Sequence, residues 1–209
     1  MYIPPSFAAT DLEQLHAHIE QHSFATLVSI DDHEPIATHL PLLLDRTHPA
    51  NGRLTGHVAK ANPQWKTAAG RRVLAIFHGP HAYITPTWYS EQNVVPTWNY
   101  SVVHAYGTLR PVDDAAQTAR IVRQYVQRYE AEMDSPWSLD SVAADFVDQL
   151  VDAVVSFTID IDRLEGKWKL SQNHSTARQA NVIAGLNERN GPGDQDVAAL
   201  MTQHCSDAD

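Results

Sequence analysis

The chain has 209 residues, 43% of them apolar, which is enough for one sizeable hydrophobic core or for one core with a small helical appendage. Its formal net charge of −10 has the wrong sign for coating nucleic acid with clustered Lys and Arg. The single cysteine, Cys205, excludes an internal disulfide and a thiolate metal site. The opening residues lack a signal-peptide pattern, and no apolar run approaches the ~18 residues of a membrane span, so we expect a cytoplasmic protein.

The first half of the chain predicts one helix followed by a run of strands. Thr10 and Glu13 form a capping box that starts a short amphipathic helix over 11–21. Strands are expected at 24–30, 35–44, 53–60, 72–78, 82–85 and 99–110, with a turn at Asp31-Asp32. Pro41 cannot donate to a ladder, so it marks an edge, a bulge or a break that faces a ligand.

In the second half the hydrophobic period changes from two to that of a helix. Helices are expected over 113–131, 138–150 and 175–188, with a strand over 154–164 between the last two. Asn190-Gly191-Pro192 stops the last helix. We therefore predict one domain over 1–190 and a tail, 191–209, that is disordered or holds one or two weak helical turns.

The order of these elements predicts an α+β fold that is mainly antiparallel. Six strands come in one run, followed by helices and one more strand, which is not the regular βαβ alternation of a parallel sheet. Neither G-x-G-x-x-G nor G-x-x-x-x-G-K-[ST] occurs, so no Rossmann site or P-loop is indicated. An antiparallel barrel with attached helices fits this pattern best.

One segment with polar chemistry is HVAKANPQW, residues 57–65. A strand that carries His57 and Lys60 runs into Asn62-Pro63, where a helix is expected to begin. Free N–H groups beside a cation would make an anion site there. The alternative is an ordinary strand-to-helix turn with a solvated lysine.

A second segment is rich in aromatic residues within loops that prolines interrupt. Its members are Trp88, Tyr89, Trp98 and Tyr100. Aromatic residues on loops favour a ligand or a second subunit, and a planar ring system would suit them. The alternative is a small aromatic cluster that stabilises long loops.

The third segment, GKWKLSQNH at 166–174, holds two lysines on one face of a strand. Lys167 and Lys169 make a local positive patch suited to phosphate or carboxylate, although an edge strand guarded by lysines would look the same.

In a fourth segment, THLPLLL, a β-ladder that is broken at Pro41 leaves backbone N–H and C=O groups that need other partners.

Catalytic residues are not assigned by the sequence. No G-x-S-x-G motif occurs, and the candidates for proton transfer are His57, Tyr89 and His104. His78, His81 and His104 lack an obvious acidic partner, so we predict no metal site.

Six segments of the chain resemble the PaiB-type family, which is described as FMN-binding negative transcriptional regulators. They are MYIPPSF, THLPLLLD, GHVAKANPQW, IFHGPHAYITPTWY, VPTWNYSVVHAYG and KWKLSQN. The segments follow the family's order from Met1 to about Asn190, and only the last 19 or so residues lie outside the resemblance.

The resemblance implies a split β-barrel with peripheral helices, similar to the pyridoxamine-phosphate oxidase class. It also implies a homodimer in which FMN lies in a groove where two barrels meet. Carried over by motif, the flavin would lie along His39 and Leu40, and its ribityl phosphate would be surrounded by His57, Val58, Lys60, Asn62 and Trp65. The site would be closed by Trp88, Tyr89, Trp98 and Asn99. Further polar contacts would come from Lys167, Lys169, Gln172 and Asn173.

Three functions remain open at this point. The first is FMN-dependent redox chemistry or sensing, and the second is negative regulation of transcription, directly or through a partner. Direct DNA binding is not favoured, because no helix-turn-helix signature occurs and Tyr125 among Arg120, Arg123 and Arg128 indicates an inward helix face. The third is haem binding, since the chain holds 12 histidines and haem-binding split barrels exist.

Overall fold

A computed structural model describes residues 1–48, 50–89 and 91–206, with side chains up to His204. This part of the chain forms an antiparallel sheet of eight strands with six α-helices. The predicted α+β, mainly antiparallel fold is confirmed. Among the described helices, none combines the length and the apolar character that crossing a membrane requires.

The elements follow one another in an order close to the predicted one. The strands are β1 (Ala8–Ala9), β2 (Phe24–Asp31), β3 (Glu34–Pro41), β4 (Leu43–Asp45), β5 (Arg53–Ala59), β6 (Arg72–Ile84), β7 (Thr97–Pro111) and β8 (Val154–Lys169). The helices are α1 (Leu12–Gln21), α2 (Gln64–Thr67), α3 (Ala115–Glu130), α4 (Ala144–Asp152), α5 (Thr176–Arg189) and α6 (Asp194–Ser206).

The sheet has the order β3-β2-β6-β7-β8-β5-β4, and β1 pairs with β8. The β2–β3 hairpin pairs Asp31 with Glu34. Between them Asp32 and His33 have φ angles of 41° and 74°, so both lie in the left-handed region that a two-residue hairpin turn requires. Asp and His tolerate this conformation better than β-branched residues do.

Two compact units divide the chain, and β6, β7 and β8 each contribute residues to both. The central unit comprises 19–77 and 105–164, and the terminal unit comprises 1–18, 78–104 and the chain from 165 onward. Each unit buries apolar side chains of its own. In the central unit they include Leu27, Leu54, Phe77, Leu109, Phe157 and Ile159, and in the terminal unit Ile84, Tyr89, Trp168, Leu170, Leu186 and Met201.

Pro41 ends a strand, as its missing N–H predicts. β3 stops at Pro41, the side chain of Leu42 is buried, and β4 begins at Leu43. The Tyr125 hydroxyl on α3 lies 2.8 Å from the carbonyl oxygen of Pro41 and 2.7 Å from that of Thr55. Burial raises the pKa of Tyr125, so the hydroxyl keeps its proton and donates it to this pair of carbonyls.

The two short strands predicted around Gly79-Pro80 are wrong, because β6 is one continuous strand from Arg72 to Ile84. Glycine here does not mark a turn. A β-carbon at Gly79 would collide with Ser101 Oγ and with the ring of His18. The residue is therefore small because other parts of the terminal unit approach its backbone closely.

The helix predicted over 138–150 is a 3₁₀ turn followed by a shorter helix. Ser138 Oγ accepts a hydrogen bond from Asp140 N and closes the turn Leu139–Ser141, and α4 then starts at Ala144. On α3, Tyr125 is buried and Arg123 pairs with Asp140 at 2.7 Å. The inward face predicted for α3 is present.

The tail also differs from the prediction of one or two weak helical turns. Asp194–Ser206 forms α6, a helix of 13 residues that packs against α5 and buries Val197, Ala198 and Met201. Its sequence has no strong amphipathic period, so the pattern does not predict a helix here, and the helix depends on packing against α5. The last three residues, 207–209, and the side chain of Cys205 lie outside the described part of the chain.

Candidate functional site

The predicted site residues fall into two groups, one in each unit. His39, Leu40, His57, Val58, Lys60, Asn62 and Trp65 belong to the central unit, and Trp88, Tyr89, Trp98, Asn99, Lys167, Lys169, Gln172 and Asn173 to the terminal unit. For the members of each group that lie on strands, alternation separates outward from inward side chains. His39 is exposed, whereas Leu40 and Val58 are buried in the core and can offer only backbone groups to a ligand.

Asn62 ties the segment after β5 to β3. Its Nδ2 donates to Thr38 Oγ1 at 3.0 Å, and its Oδ1 accepts from Gln64 N at 2.9 Å. On the neighbouring position of β3, His39 Nδ1 lies 3.0 Å from Thr26 Oγ1. The predicted helix start is present, but α2 has only four residues, so its macrodipole is too small to make an anion site by itself.

Two exposed lysines and a tryptophan follow β5. Trp65 Nε1 donates to Lys60 O at 3.1 Å, and Lys66 Nζ lies 5.2 Å from the centre of the Trp65 ring. Lys60 Nζ donates to Asp152 O at 3.4 Å and is otherwise directed to solvent. We call Lys60, Asn62, Trp65 and Lys66 the Lys60 surface; it offers two cations, an amide and an aromatic face.

His57 does not contribute to that surface. Its ring meets the Tyr125 ring edge-on, with centroids 4.7 Å apart, because α3 covers this position of β5. Burial lowers the pKa of His57, and its Nδ1 is buried without a hydrogen-bond partner among the described residues. The imidazole is therefore neutral at neutral pH and cannot attract a phosphate.

The terminal unit contains a cleft of about 470 Å³ between β6 and β7, which we call the Trp98 cleft. Its lining includes His78, His81, Trp98, Tyr100, Ser101 and His104. Trp98 is 52% exposed, with its ring centroid 6.1 Å from that of His81 and 5.9 Å from that of Tyr83. Such a volume and such aromatic walls are typical of small-molecule sites.

Lys167 and Lys169 of β8 adjoin the residues of this cleft. Lys167 Nζ donates to Tyr2 O at 3.1 Å and lies 5.4 Å from the centre of the Tyr100 ring. Lys169 Nζ donates to Trp98 O at 2.8 Å and to Thr97 Oγ1. Burial and the charge of Lys167 lower the pKa of Lys169. The two ammonium groups thus reinforce one positive patch, as predicted.

The loop aromatics Trp88 and Tyr89 pack inside the terminal unit. The Trp88 ring leaves no room for a β-carbon at Gly185 of α5, and the Arg189 guanidinium lies 4.9 Å from its centre. Tyr89 is buried, with the Arg178 guanidinium 3.6 Å from its ring centre. Both residues attach α5 to the unit, which matches the alternative of a cluster that stabilises loops.

Three polar residues of the predicted set differ in exposure. Asn99 is fully buried, and its Nδ2 donates to Ser171 Oγ at 3.0 Å and to Met201 Sδ at 3.3 Å. Gln172 accepts from Leu170 N through Oε1 at 2.7 Å and donates to Trp168 O through Nε2 at 2.6 Å, which shapes the chain after β8. Asn173 is exposed.

Sequence reasoning named Tyr100 among the loop aromatics, but it included neither Tyr100 nor Ser101 in the set of cofactor-binding residues. The signal for Tyr100 was present, because a period of two along β7 places Trp98, Tyr100, Val102 and His104 on one face of the strand. The three histidines of the cleft do not converge: among the described residues no group of three His, Cys, Asp or Glu side chains could hold a metal ion.

The family model described as "Putative FMN-binding domain" matches residues 1–163 of the chain. "Protease synthase and sporulation protein PAI 2" of Bacillus subtilis (strain 168) is 37% identical over 204 residues, which cover 96% of both chains. This chain belongs to the PaiB-type family of FMN-binding domains. The predicted family is confirmed, and FMN is the cofactor of its domain.

Two solved structures share the fold of this PaiB-type chain. The flavocytochrome Anf3 from Azotobacter vinelandii has a TM-score of 0.59 at 16% identity and covers 78% of this chain and 69% of its own. The FAD and heme binding protein from Mycobacterium smegmatis has a TM-score of 0.53 at 14% identity, over 78% of this chain and 73% of its own. At these identities the likeness concerns the fold, and it confirms the split β-barrel.

Proposed function

We propose that this chain holds FMN as a homodimer, with the phosphate of the cofactor at the Lys60 surface. The observation that carries the proposal is the exposed ammonium group of Lys60, directed to solvent beside an amide and an indole in a protein whose formal net charge is −10. A phosphate dianion needs such a local cation, because the rest of the chain repels it.

The residues of this surface fit FMN chemically. Lys60 and Lys66 supply two positive charges on one short segment, and the Trp65 indole between them offers an apolar face. Asn62 is already held by Thr38 and Gln64, so the segment is ordered before a ligand arrives. Preorganisation of this kind reduces the entropy lost on binding.

When bound, FMN supplies one-electron or two-electron redox chemistry, which can serve a reaction or the sensing of a redox state. The protein's part is to bind the phosphate, orient the ring and exclude water.

We also propose a cytoplasmic location, which is supported by a content of one cysteine in 209 residues.

Titration of the purified protein with FMN, and separately with riboflavin, tests the proposed function. We expect saturation near one FMN per chain by visible absorbance and flavin fluorescence. Riboflavin should bind at least about tenfold more weakly, because it lacks the phosphate that the lysines attract. Equal affinity for the two flavins would contradict a phosphate receptor, and binding of neither would remove the proposed function. A Soret band in place of a flavin band would favour haem.

The homodimer is a separate part of the proposal. It is supported by exposed apolar side chains in the terminal unit, including Tyr2, Tyr83, Val95 and Trp98, since such surfaces are covered by partners in many soluble proteins. Light scattering at micromolar concentration should give about twice the chain mass of 23.3 kDa. A mass of one chain over the whole concentration range, with FMN present, would contradict it.

Negative regulation of transcription is the second candidate. The observation that favours it is the relative named for protease synthesis and sporulation, which is 37% identical over 204 residues. Phosphate contacts to DNA make affinity fall steeply with salt, so DNA retention at low salt that is lost between 50 and 200 mM would support a direct regulatory role.

A further inference from the structure

A groove of about 260 Å³ lies in the central unit between α3 and residues 136–140, and we call it the Trp137 groove. Its apolar lining consists of Val126, Ala131, Pro136, Trp137 and Leu139. The backbone N–H of Trp137 donates to Glu130 Oε2 at 2.7 Å, which holds the segment after α3 in place. The volume lies below the roughly 300–1,000 Å³ of small-molecule sites, so the groove suits one side chain of a partner better than a whole ligand.

Exposed apolar side chains accompany the groove along residues 130–152. Four of them are between 37% and 55% exposed: Met133, Trp137, Phe146 and Leu150. On α4, Phe146 and Leu150 are one turn apart and share an outward face, whereas Val147 and Val151 are covered by the unit. α4 thus has a second apolar face that packing within the chain does not use. Met and aromatic side chains on such a face are typical of protein interfaces.

The same stretch of chain is strongly acidic. Residues 130–152 contain seven Asp and Glu and no Lys or Arg. Arg123 of α3 pairs with Asp140 at 2.7 Å, and Arg128 pairs with Glu132 at 2.8 Å. The remaining carboxylates have no ion pair among the described residues, and they are Glu130, Asp134, Asp145, Asp148 and Asp152, the last near Lys60 at the end of α4. An apolar surface therefore lies in a segment with excess negative charge.

This charge decides what kind of partner can cover the surface. A symmetric contact with a second copy would place the same carboxylates against each other, and like charges repel. Nucleic acid and the anionic surface of a membrane are repelled for the same reason. A helix with apolar residues on one face and Lys or Arg beside them matches both the groove and the charge.

We propose that the Trp137 groove, together with the outward face of α4, docks a cationic amphipathic helix of a partner protein. α3 and α4 contact each other, so the groove and the α4 face adjoin in the central unit. One apolar side chain of the partner enters the groove, others contact Phe146 and Leu150, and its cations pair with the carboxylates of residues 130–152. The inference extends beyond the proposed function, because none of these residues belongs to the Lys60 surface.

Anisotropy titration of a labelled model peptide with the FMN-loaded protein tests this inference. The peptide has about 18 residues, with leucine on one helical face and lysine on the other. A peptide with glutamate in place of lysine is the comparison. We expect saturable binding of the lysine peptide, at least about tenfold tighter than that of the glutamate peptide, and weaker at higher salt.

Trp137→Ala should weaken binding of the lysine peptide about tenfold, because it removes the largest apolar side chain of the groove. Phe24→Ala is the matched control, since Phe24 is an exposed aromatic residue on β2 of the same unit. It should leave binding unchanged. Equal binding by wild type and a folded Trp137→Ala, as judged by circular dichroism, would overturn the inference.

A charge variant tests the same surface without opening the groove. Asp145→Asn combined with Asp148→Asn should weaken binding about fivefold and reduce its salt dependence. Asp32→Asn combined with Glu34→Gln removes two carboxylates from the β2–β3 hairpin and should change binding by less than about twofold.

No saturable binding of the lysine peptide, or equal binding of the lysine and glutamate peptides, would overturn the inference. So would a fall from two chains to one in the light-scattering mass of Trp137→Ala, which would assign the surface to a contact between copies. Flavin absorbance reports FMN loading of the same samples, so loss of FMN binding with retained peptide binding would contradict only the proposed function.

Discussion

Replacing Lys60 with glutamate should weaken FMN binding by about tenfold to a hundredfold. The change reverses a charge at the proposed phosphate position, so an attraction becomes a repulsion of a dianion. Lys60→Met should show a smaller loss, because it removes the attraction without adding a repulsion. Fluorescence titration with FMN at fixed ionic strength measures both effects, and raising the salt concentration should reduce the difference between wild type and Lys60→Glu.

Arg120→Glu is the matched control for this experiment. Arg120 is exposed on α3 of the same unit, and its replacement changes the net charge by the same two units. It should leave FMN affinity within about twofold of wild type, because Arg120 is not part of the Lys60 surface and its exposed charge is screened by solvent and salt. Unchanged affinity in Lys60→Glu, with circular dichroism showing a folded chain, would exclude Lys60 from the phosphate site.

Asp194→Asn should lower the free energy of unfolding at pH 7 by about 2–4 kcal/mol. The Asp194 side chain is 2% exposed and accepts hydrogen bonds from Arg189 Nε at 2.7 Å, from Arg189 Nη2, and from Gly191 N at 2.8 Å. The asparagine side chain carries no charge, so the Arg189 guanidinium loses its carboxylate partner. Urea unfolding of wild type and variant measures the difference, and Asp196→Asn, an exposed site on the same helix, should change it by less than about 0.5 kcal/mol.

The effect of Asp194→Asn should depend on pH. The hydrogen bonds from Arg189 are the main cause of a lowered pKa of Asp194 in the folded protein. A carboxyl whose folded pKa lies below its unfolded pKa stabilises the fold above the unfolded value, near 4, and loses that contribution as the pH falls through the folded pKa. The difference between wild type and variant should therefore shrink between pH 5 and pH 2. A difference that stays constant over this range would contradict an ionic role.

The Arg189–Asp194 pair also links the end of the chain to the loop aromatics. Arg189 lies over the Trp88 ring while its guanidinium holds Asp194 at the start of α6. Gly185, one turn earlier on α5, leaves space for the same ring. The last two helices are thus part of the terminal unit's core, although the family match ends at residue 163.

The sequence by itself determined the class of the fold and the family. Alternation along 99–110 and 154–164 predicts strands, Ser175 and Asn190 mark the ends of α5, and Pro41 predicts a break that is present. These features are local, since backbone preferences and caps act over a few residues. Long segments rich in Trp, Pro and His indicated the PaiB-type family and FMN, and both are confirmed.

Only the tertiary structure decided which side of each element is covered. His57 looked like a phosphate ligand, but α3 places Tyr125 against its ring. Asn99 lies on the inward face of the strand on which Trp98 is exposed. Position 79 requires glycine because Ser101 approaches its backbone closely, and not because the chain turns there. The helix at 194–206 exists because α5 covers Val197 and Met201. Burial depends on segments distant in sequence, and a one-residue shift on a strand exchanges a ligand-facing side chain for a core one.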